Sequence, residues 1–117
     1  MATPRSRATA RPGRPVRGSS TGRPIMALLD LLGRRAALRV LWELRTERLT
    51  FRALVDAAGT NPSVLNARLA ELRDAGVVTH DGDGYGLTPD GAALLQQLAP
   101  LHTWAEAWAR RTAKGTG

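Results

Sequence analysis

Residues Thr60–Gly76 read TNPSVLNARLAELRDAG, and the order of residue types in them decides the fold. Asn61 carries a side-chain carbonyl that can accept from the free N–H groups at the start of a helix. Pro62 suits the first helical position, where its missing N–H would find no partner in any case. Leu65, Leu69 and Leu72 recur at helical spacing, with Val64 beside them, and give one apolar stripe. Glu71, Arg73 and Asp74 are expected to keep the helix soluble. Gly76 can adopt the left-handed conformation that stops a helix, so the spacing predicts a helix over Pro62–Ala75. Immediately upstream, Phe51–Ala58 reads as a short helix closed by Gly59 and a tight turn. Helix, glycine-containing turn and capped helix form the outline of a helix-turn-helix, with Pro62–Ala75 as its recognition helix.

Working outward, Val77–His80 reads as a short strand, and His80–Leu87 (HDGDGYGL) as a hairpin, because Asp-Gly repeated between short strands is a strong turn signal. A hairpin directly after a recognition helix is a wing. Thr88-Pro89-Asp90-Gly91 then opens another helix, with a hydroxyl cap, proline at the first position and an acid in the first turn. Its stripe of Leu94, Leu95 and Leu98 runs to Pro100, which is expected to kink or divide it. Leu101–Arg111 resumes the pattern with Trp104 and Trp108 one turn apart, and Lys114–Gly117 reads as a frayed end. On the other side, Ile25–Leu32 is apolar at helical spacing and Gly33 closes it. Arg34–Thr46 reads as a second helix on the repeat of Leu38, Leu41, Trp42 and Arg45. Arg48-Leu49-Thr50 suggests a short strand, and Thr50 is a natural cap for Phe51–Ala58, whose Phe51, Leu54 and Val55 point inward. The fold class is therefore mainly α with a small β-hairpin: a winged helix-turn-helix.

At 117 residues the chain holds one domain with a modest core. It has no cysteine, which excludes disulfides, thiolate metal sites and thiol redox sensing, and which fits a reducing cytoplasm. No run approaches the roughly 18 apolar residues of a membrane span. Charge is uneven. Of the 17 Lys and Arg residues, six lie in residues 1–24 (Arg5, Arg7, Arg11, Arg14, Arg17, Arg23) with no acid among them. That leaves 11 against 10 Asp and Glu in the remainder, which is nearly neutral. Residues 1–24 are Arg, Pro, Gly, Ser and Thr with almost nothing to bury, so the expectation is a disordered arm ahead of one domain over residues 25–113. The arm reads as a basic contact for DNA phosphates, as a solvated extension, or, if translation starts at Met26, as sequence that is not made.

A recognition helix shows polar or basic groups to base edges from its first two turns. Here the outward set is Ser63, Asn66, Ala67 and Ala70. Asn66 can read adenine through two hydrogen bonds, and Ala67 can pack on a thymine methyl. Arg68 reads as a phosphate contact or an intramolecular pair. Arg34, Arg35 and Arg39 could touch phosphate or could form a solvated face. His80 and His102 stand apart and do not suggest a metal pair. Asp81 and Asp83 lack the remaining spaced ligands of a calcium loop and read as turn formers. No nucleophile–base pairing, phosphate-binding glycine loop or carboxylate pair is present, so neither an enzyme nor a cofactor is expected. Trp104 and Trp108 read as core or interface. An apolar pocket between the terminal helices and the winged core is where a small effector would bind.

These segments together resemble the HxlR-type branch of winged helix-turn-helix transcription regulators, within the MarR-like winged-helix superfamily. The matching pieces are DLLGRRAALRVLWEL, LTFRALVDAAGTNPSVLNARLAELRDAGVV and YGLTPDGAALL with the downstream Trp104, so the resemblance covers about residues 26–111. It implies a bacterial, cytoplasmic, nucleoid-associated regulator of transcription, expected to repress by occluding a promoter. It further implies a homodimer formed through the terminal helices and bound to a palindromic operator in double-stranded DNA. Carried onto this chain, the DNA-facing positions are Thr60, Asn61, Ser63, Asn66, Ala67 and Arg68. The dimer-forming ones are Met26 and Leu29 on the face of Ile25–Leu32, with Leu98, Leu101, Trp104 and Trp108. The chain departs from the family in having Ala36 where an aromatic is usual, in lacking the cysteine of its redox-sensing members, and in its short wing with Asp81 and Asp83. The acidic wing supports an alternative, a winged-helix module that binds another protein.

Overall fold

The computed structural model describes residues 23–116; the basic arm of residues 1–24 lies outside these except for Arg23 and Pro24. The element order is α1 (Pro24–Leu32), α2 (Ala37–Glu43), α3 (Phe51–Ala58), α4 (Pro62–Asp74), β1 (Val78–Asp81), β2 (Gly84–Leu87) and α5 (Pro89–Thr116). One apolar cluster joins the first four helices to the hairpin. It includes Leu31 of α1, Val40 and Leu41 of α2, Leu54 of α3, Leu65, Leu69 and Leu72 of α4, and Val78 of β1. Leu41, Leu54, Leu65 and Leu72 are fully buried.

The helix-turn-helix forms for the local reasons its sequence suggests. Thr50 accepts from the Ala53 N–H at 3.1 Å and Asn61 from the Val64 N–H at 2.9 Å, each satisfying a donor the first turn leaves free. Gly59 and Gly76 hold left-handed φ angles of 63° and 82°, which end α3 and turn the chain out of α4.

The wing is a two-stranded antiparallel sheet with Val78 opposite Leu87 and Asp81 opposite Gly84. The strand expected at Arg48–Thr50 is reduced to one residue: Leu49 exchanges both backbone hydrogen bonds with Tyr85, at 2.9 and 2.8 Å. A side chain at Gly84 would collide with the Leu49 carbonyl, 2.5 Å from an ideal Cβ, so this three-segment edge requires glycine there.

Four expectations are corrected. The second helix does not begin at Arg34: residues 33–36 form a turn, Ala36 is left-handed at φ 69°, and helix runs only from Ala37 to Glu43. Its buried face is Ala37, Val40 and Leu41, continued by Leu44, while Leu38 and Trp42 of the expected stripe are exposed. Pro100 does not divide α5, which continues to Thr116 through the residues expected to fray. Proline removes the bond to the carbonyl four residues back, that of Gln96; both residues are exposed, so water can take the vacant place. Finally, Glu71 is not on the soluble side. It is 5% exposed, the one buried charged residue among those described.

Candidate nucleic-acid interface

The buried stripe of Leu65, Leu69 and Leu72 decides what α4 shows outside. With those residues in the core, Asn61, Ser63, Asn66 and Ala70 are exposed, and Ala67 is half-buried. The Asn61 carbonyl is engaged as the cap, which leaves its amide group to face outward. The Thr60 hydroxyl is enclosed and has no hydrogen-bond partner among the described residues, so its oxygen is not offered to a ligand. The outward polar groups at the helix start are therefore Ser63 and Asn66, with the Asn61 amide.

Of the arginines, Arg68 and Arg34 are turned inward. Arg68 sets its Nε 2.9 Å from Oε1 of Glu71, donates from Nη2 to Oε2 at 3.1 Å, and donates from Nη1 to the Arg35 carbonyl at 3.3 Å. The Nε–H is not aligned on its carboxylate neighbour, so this contact is an ion pair by distance and the Nη2 bond gives it direction. Arg34 lies between Asp30, at 2.8 Å, and the same Glu71, at 2.9 Å. Arg39 pairs with Glu43 at 2.7 Å and donates to the Ala57 carbonyl at 2.9 Å, tying α2 to the end of α3. Arg35, Arg52 and Arg73 are exposed, and no ion pair engages their side chains among the described residues. Arg52 lines the same shallow groove as Pro62, at the start of α4. Sequence reading did not single it out, although its place in the first turn of α3, just ahead of the recognition helix, was a usable signal.

The wing is less acidic than its sequence. Arg48 reaches across to pair with Asp81 at 3.0 Å and donates to the Gly84 carbonyl at 2.9 Å. The other oxygen of Asp81 accepts from the Asp83 N–H at 2.8 Å and shapes the turn. Arg48 occupies the space above Gly86, where an added Cβ would lie 2.5 Å from its guanidinium. On the wing, His80 and Tyr85 stack with ring centroids 4.1 Å apart.

The residues expected to form a dimer divide into two groups. Leu29, Leu101, Trp104 and Trp108 are half or more exposed, as is Ile25, whereas Met26 and Leu98 are half-buried. Trp104 and Trp108 stack on each other at 5.7 Å, with the Arg111 guanidinium 5.9 Å from the Trp104 ring. Between α2 and α5 runs an apolar groove of about 430 Å³ lined by Leu38, Trp42, Leu95, Leu98, Leu101 and His102, among others. His102 stacks on Trp42 there at 5.7 Å, and the Arg45 guanidinium lies 3.9 Å from the same indole.

No family model matches the chain. A protein of Methanocaldococcus jannaschii described as an uncharacterized HTH-type transcriptional regulator is 25% identical over 88 residues, which span 71% of this chain and 83% of that protein. Among solved structures, the crystal structure of the quinone-bound YodB from B. subtilis is similar with a TM-score of 0.67 at 24% identity, covering 71% of this chain and 96% of that one. The fold is a winged helix-turn-helix, as expected. No described helix is long and apolar enough to cross a membrane.

Proposed function

We propose that this chain is a sequence-specific DNA-binding regulator of transcription of the HxlR type, acting as a homodimer on a palindromic operator. The observation that carries the reading is α4 itself: a capped helix, anchored by a leucine stripe, that leaves Ser63 and Asn66 exposed on its first two turns beside Ala67. That is the surface a major groove requires. The likeness to a named helix-turn-helix regulator supports it. Phosphate contacts then fall to Arg35, Arg52 and Arg73, the exposed cations around the motif, and Arg34 and Arg68 take a structural part instead.

Dimerisation supplies the rest of the affinity. An apolar face of Leu101, Trp104 and Trp108 left in water favours burial against a second copy, and two-fold symmetry in the protein matches a palindrome in the DNA. Repression by covering a promoter is the simplest outcome of such binding, and the groove between α2 and α5 is the place for a small effector. The alternative of a protein-interaction module rested on the acidic wing and the alanine-rich surface of α4; on the wing, Arg48 pairs with Asp81 but not with Asp83.

Titration of the purified protein on its own upstream DNA at two salt concentrations tests the reading. A specific complex that weakens with salt is expected; equal binding to random DNA would defeat it. Asn66→Ala should reduce preference for the selected sequence by about tenfold, corresponding to the ~1–3 kcal/mol of one good base contact, with thermal stability unchanged.

A further inference from the structure

The recognition helix carries one buried charge, and that charge is connected to the first helix. Glu71 receives Arg68 from its own preceding turn and Arg34 from the turn after α1. Arg34 continues to Asp30, donating at 2.8 Å to its carboxylate. Two acids and two bases thus run from Asp30 on α1, through Arg34 and Glu71, to Arg68 on α4, and Arg68 closes the chain on the Arg35 backbone.

Stability alone does not account for this arrangement. A buried ion pair gains little over apolar residues of similar volume, and α4 already has three buried leucines. What the carboxylate adds is direction, through the arginine it holds. Apolar contacts are non-directional, whereas guanidinium hydrogen bonds have a fixed geometry: Arg68 donates to Oε2 of Glu71 within α4 and to the Arg35 carbonyl outside it, while Arg34 meets Glu71 as an ion pair by distance. Asn66 lies five residues before Glu71, about 140° around the axis at 3.6 residues per turn. Fixing the azimuth of Glu71 therefore fixes the azimuth at which Asn66 meets a base edge.

We propose that Glu71 is a positioning residue for DNA reading. By holding Arg68 against the Arg35 carbonyl, with Arg34 paired alongside, it sets the rotation of α4 relative to the turn after α1, and it keeps the Arg68 guanidinium away from phosphates, where it would add affinity without preference. The inference rests on the DNA-binding reading above.

The test compares two duplexes of equal length, one selected by the unchanged chain from a random pool and one with its sequence scrambled, over a range of salt. For Glu71→Gln, preference should fall about tenfold, the discrimination of roughly one base contact. Binding to the scrambled duplex should strengthen at low salt, with a salt slope steeper by about one phosphate as Arg68 is released. Arg68→Gln should leave the slope unchanged in the otherwise native chain, and should remove the added increment in the Glu71→Gln background. Asp30→Asn, at the far end of the chain of charges, should lower preference severalfold with the slope unaltered. Preference and slopes unaffected by Glu71→Gln would overturn the proposal, as would equal weakening on both duplexes in step with a fall in melting temperature. If Glu71→Gln does not fold, a shallower slope for Arg68→Gln alone overturns it, and so does native preference in Asp30→Asn. An unchanged chain that does not distinguish the duplexes defeats the DNA reading itself, and that result is separate from the behaviour of the variants.

Discussion

In α4, Leu65, Leu69 and Leu72 are at most 3% exposed, whereas Leu101, Trp104 and Trp108 of α5 keep between 50% and 59% of their surface in solvent. Both helices carry an apolar stripe at the same spacing. The first is buried within the chain, against α3 and β1; the second stays half or more exposed, with Leu101 at the groove beside α2 and Trp104 stacked on Trp108. Periodicity thus reports that a helix has an apolar face, and the rest of the fold determines whether that face is buried within the chain.

The sharpest way to break this contrast is to truncate one residue from each stripe. Leu65→Ala should cost about 3 kcal/mol of folding stability, within the ~2–5 kcal/mol range for fully buried leucines, read from urea denaturation. That is a large share of a small domain's ~5–15 kcal/mol. Trp108→Ala should leave the unfolding of the single copy nearly unchanged while weakening self-association by about 2 kcal/mol, the scale of an interface hot spot, read by sedimentation at graded concentration. Equal destabilisation of folding by both substitutions would remove the distinction. At the small end, Asn61→Ala should cost about 1 kcal/mol through loss of the cap on α4, visible as a lower urea midpoint with an unchanged slope.

Legibility in the sequence followed the range of the interactions involved. Caps, helix-ending glycines and the hairpin are local, and Thr50, Asn61, Gly59, Gly76 and the Asp-Gly turn all behave as their types suggest. The start of α2 is not local. Arg34, Arg35 and Ala36 are good helix formers, yet they make a turn in which Arg34 meets Asp30, at the spacing of four expected of a helical pair, and Glu71, which lies 37 positions on and is not apparent from spacing. The same ion pairs explain why Glu71 looked soluble and is buried, and why Arg34 and Arg68 are poor candidates for phosphate. Leu38 and Trp42 were misplaced because α2 is too short for its period to reveal which face turns inward. Val40 and Leu44 take the core, and Trp42 is left to meet His102 and Arg45. At the wing, Asp81 looked repulsive because its partner, Arg48, lies 33 positions away in the chain.

The junction between α4 and α5 gives the long helix a mechanical role. Thr88 donates its hydroxyl to the Gly76 carbonyl at 2.6 Å and its N–H to that of Val77 at 3.1 Å, while an added Cβ at Gly91 would lie 2.1 Å from the Val77 oxygen. The base of α5 is therefore pressed against the exit of the recognition helix, backbone against backbone. From that base the helix extends about 37 Å to Thr116, at 1.5 Å per residue. It works as a lever with its fulcrum at Gly91. A sideways shift of about 4 Å at the far end, less than the rise of one helical turn, tilts the base by only about 6°. Displacements at the far end of α5 thus reach α4 demagnified, as a fine adjustment of its angle.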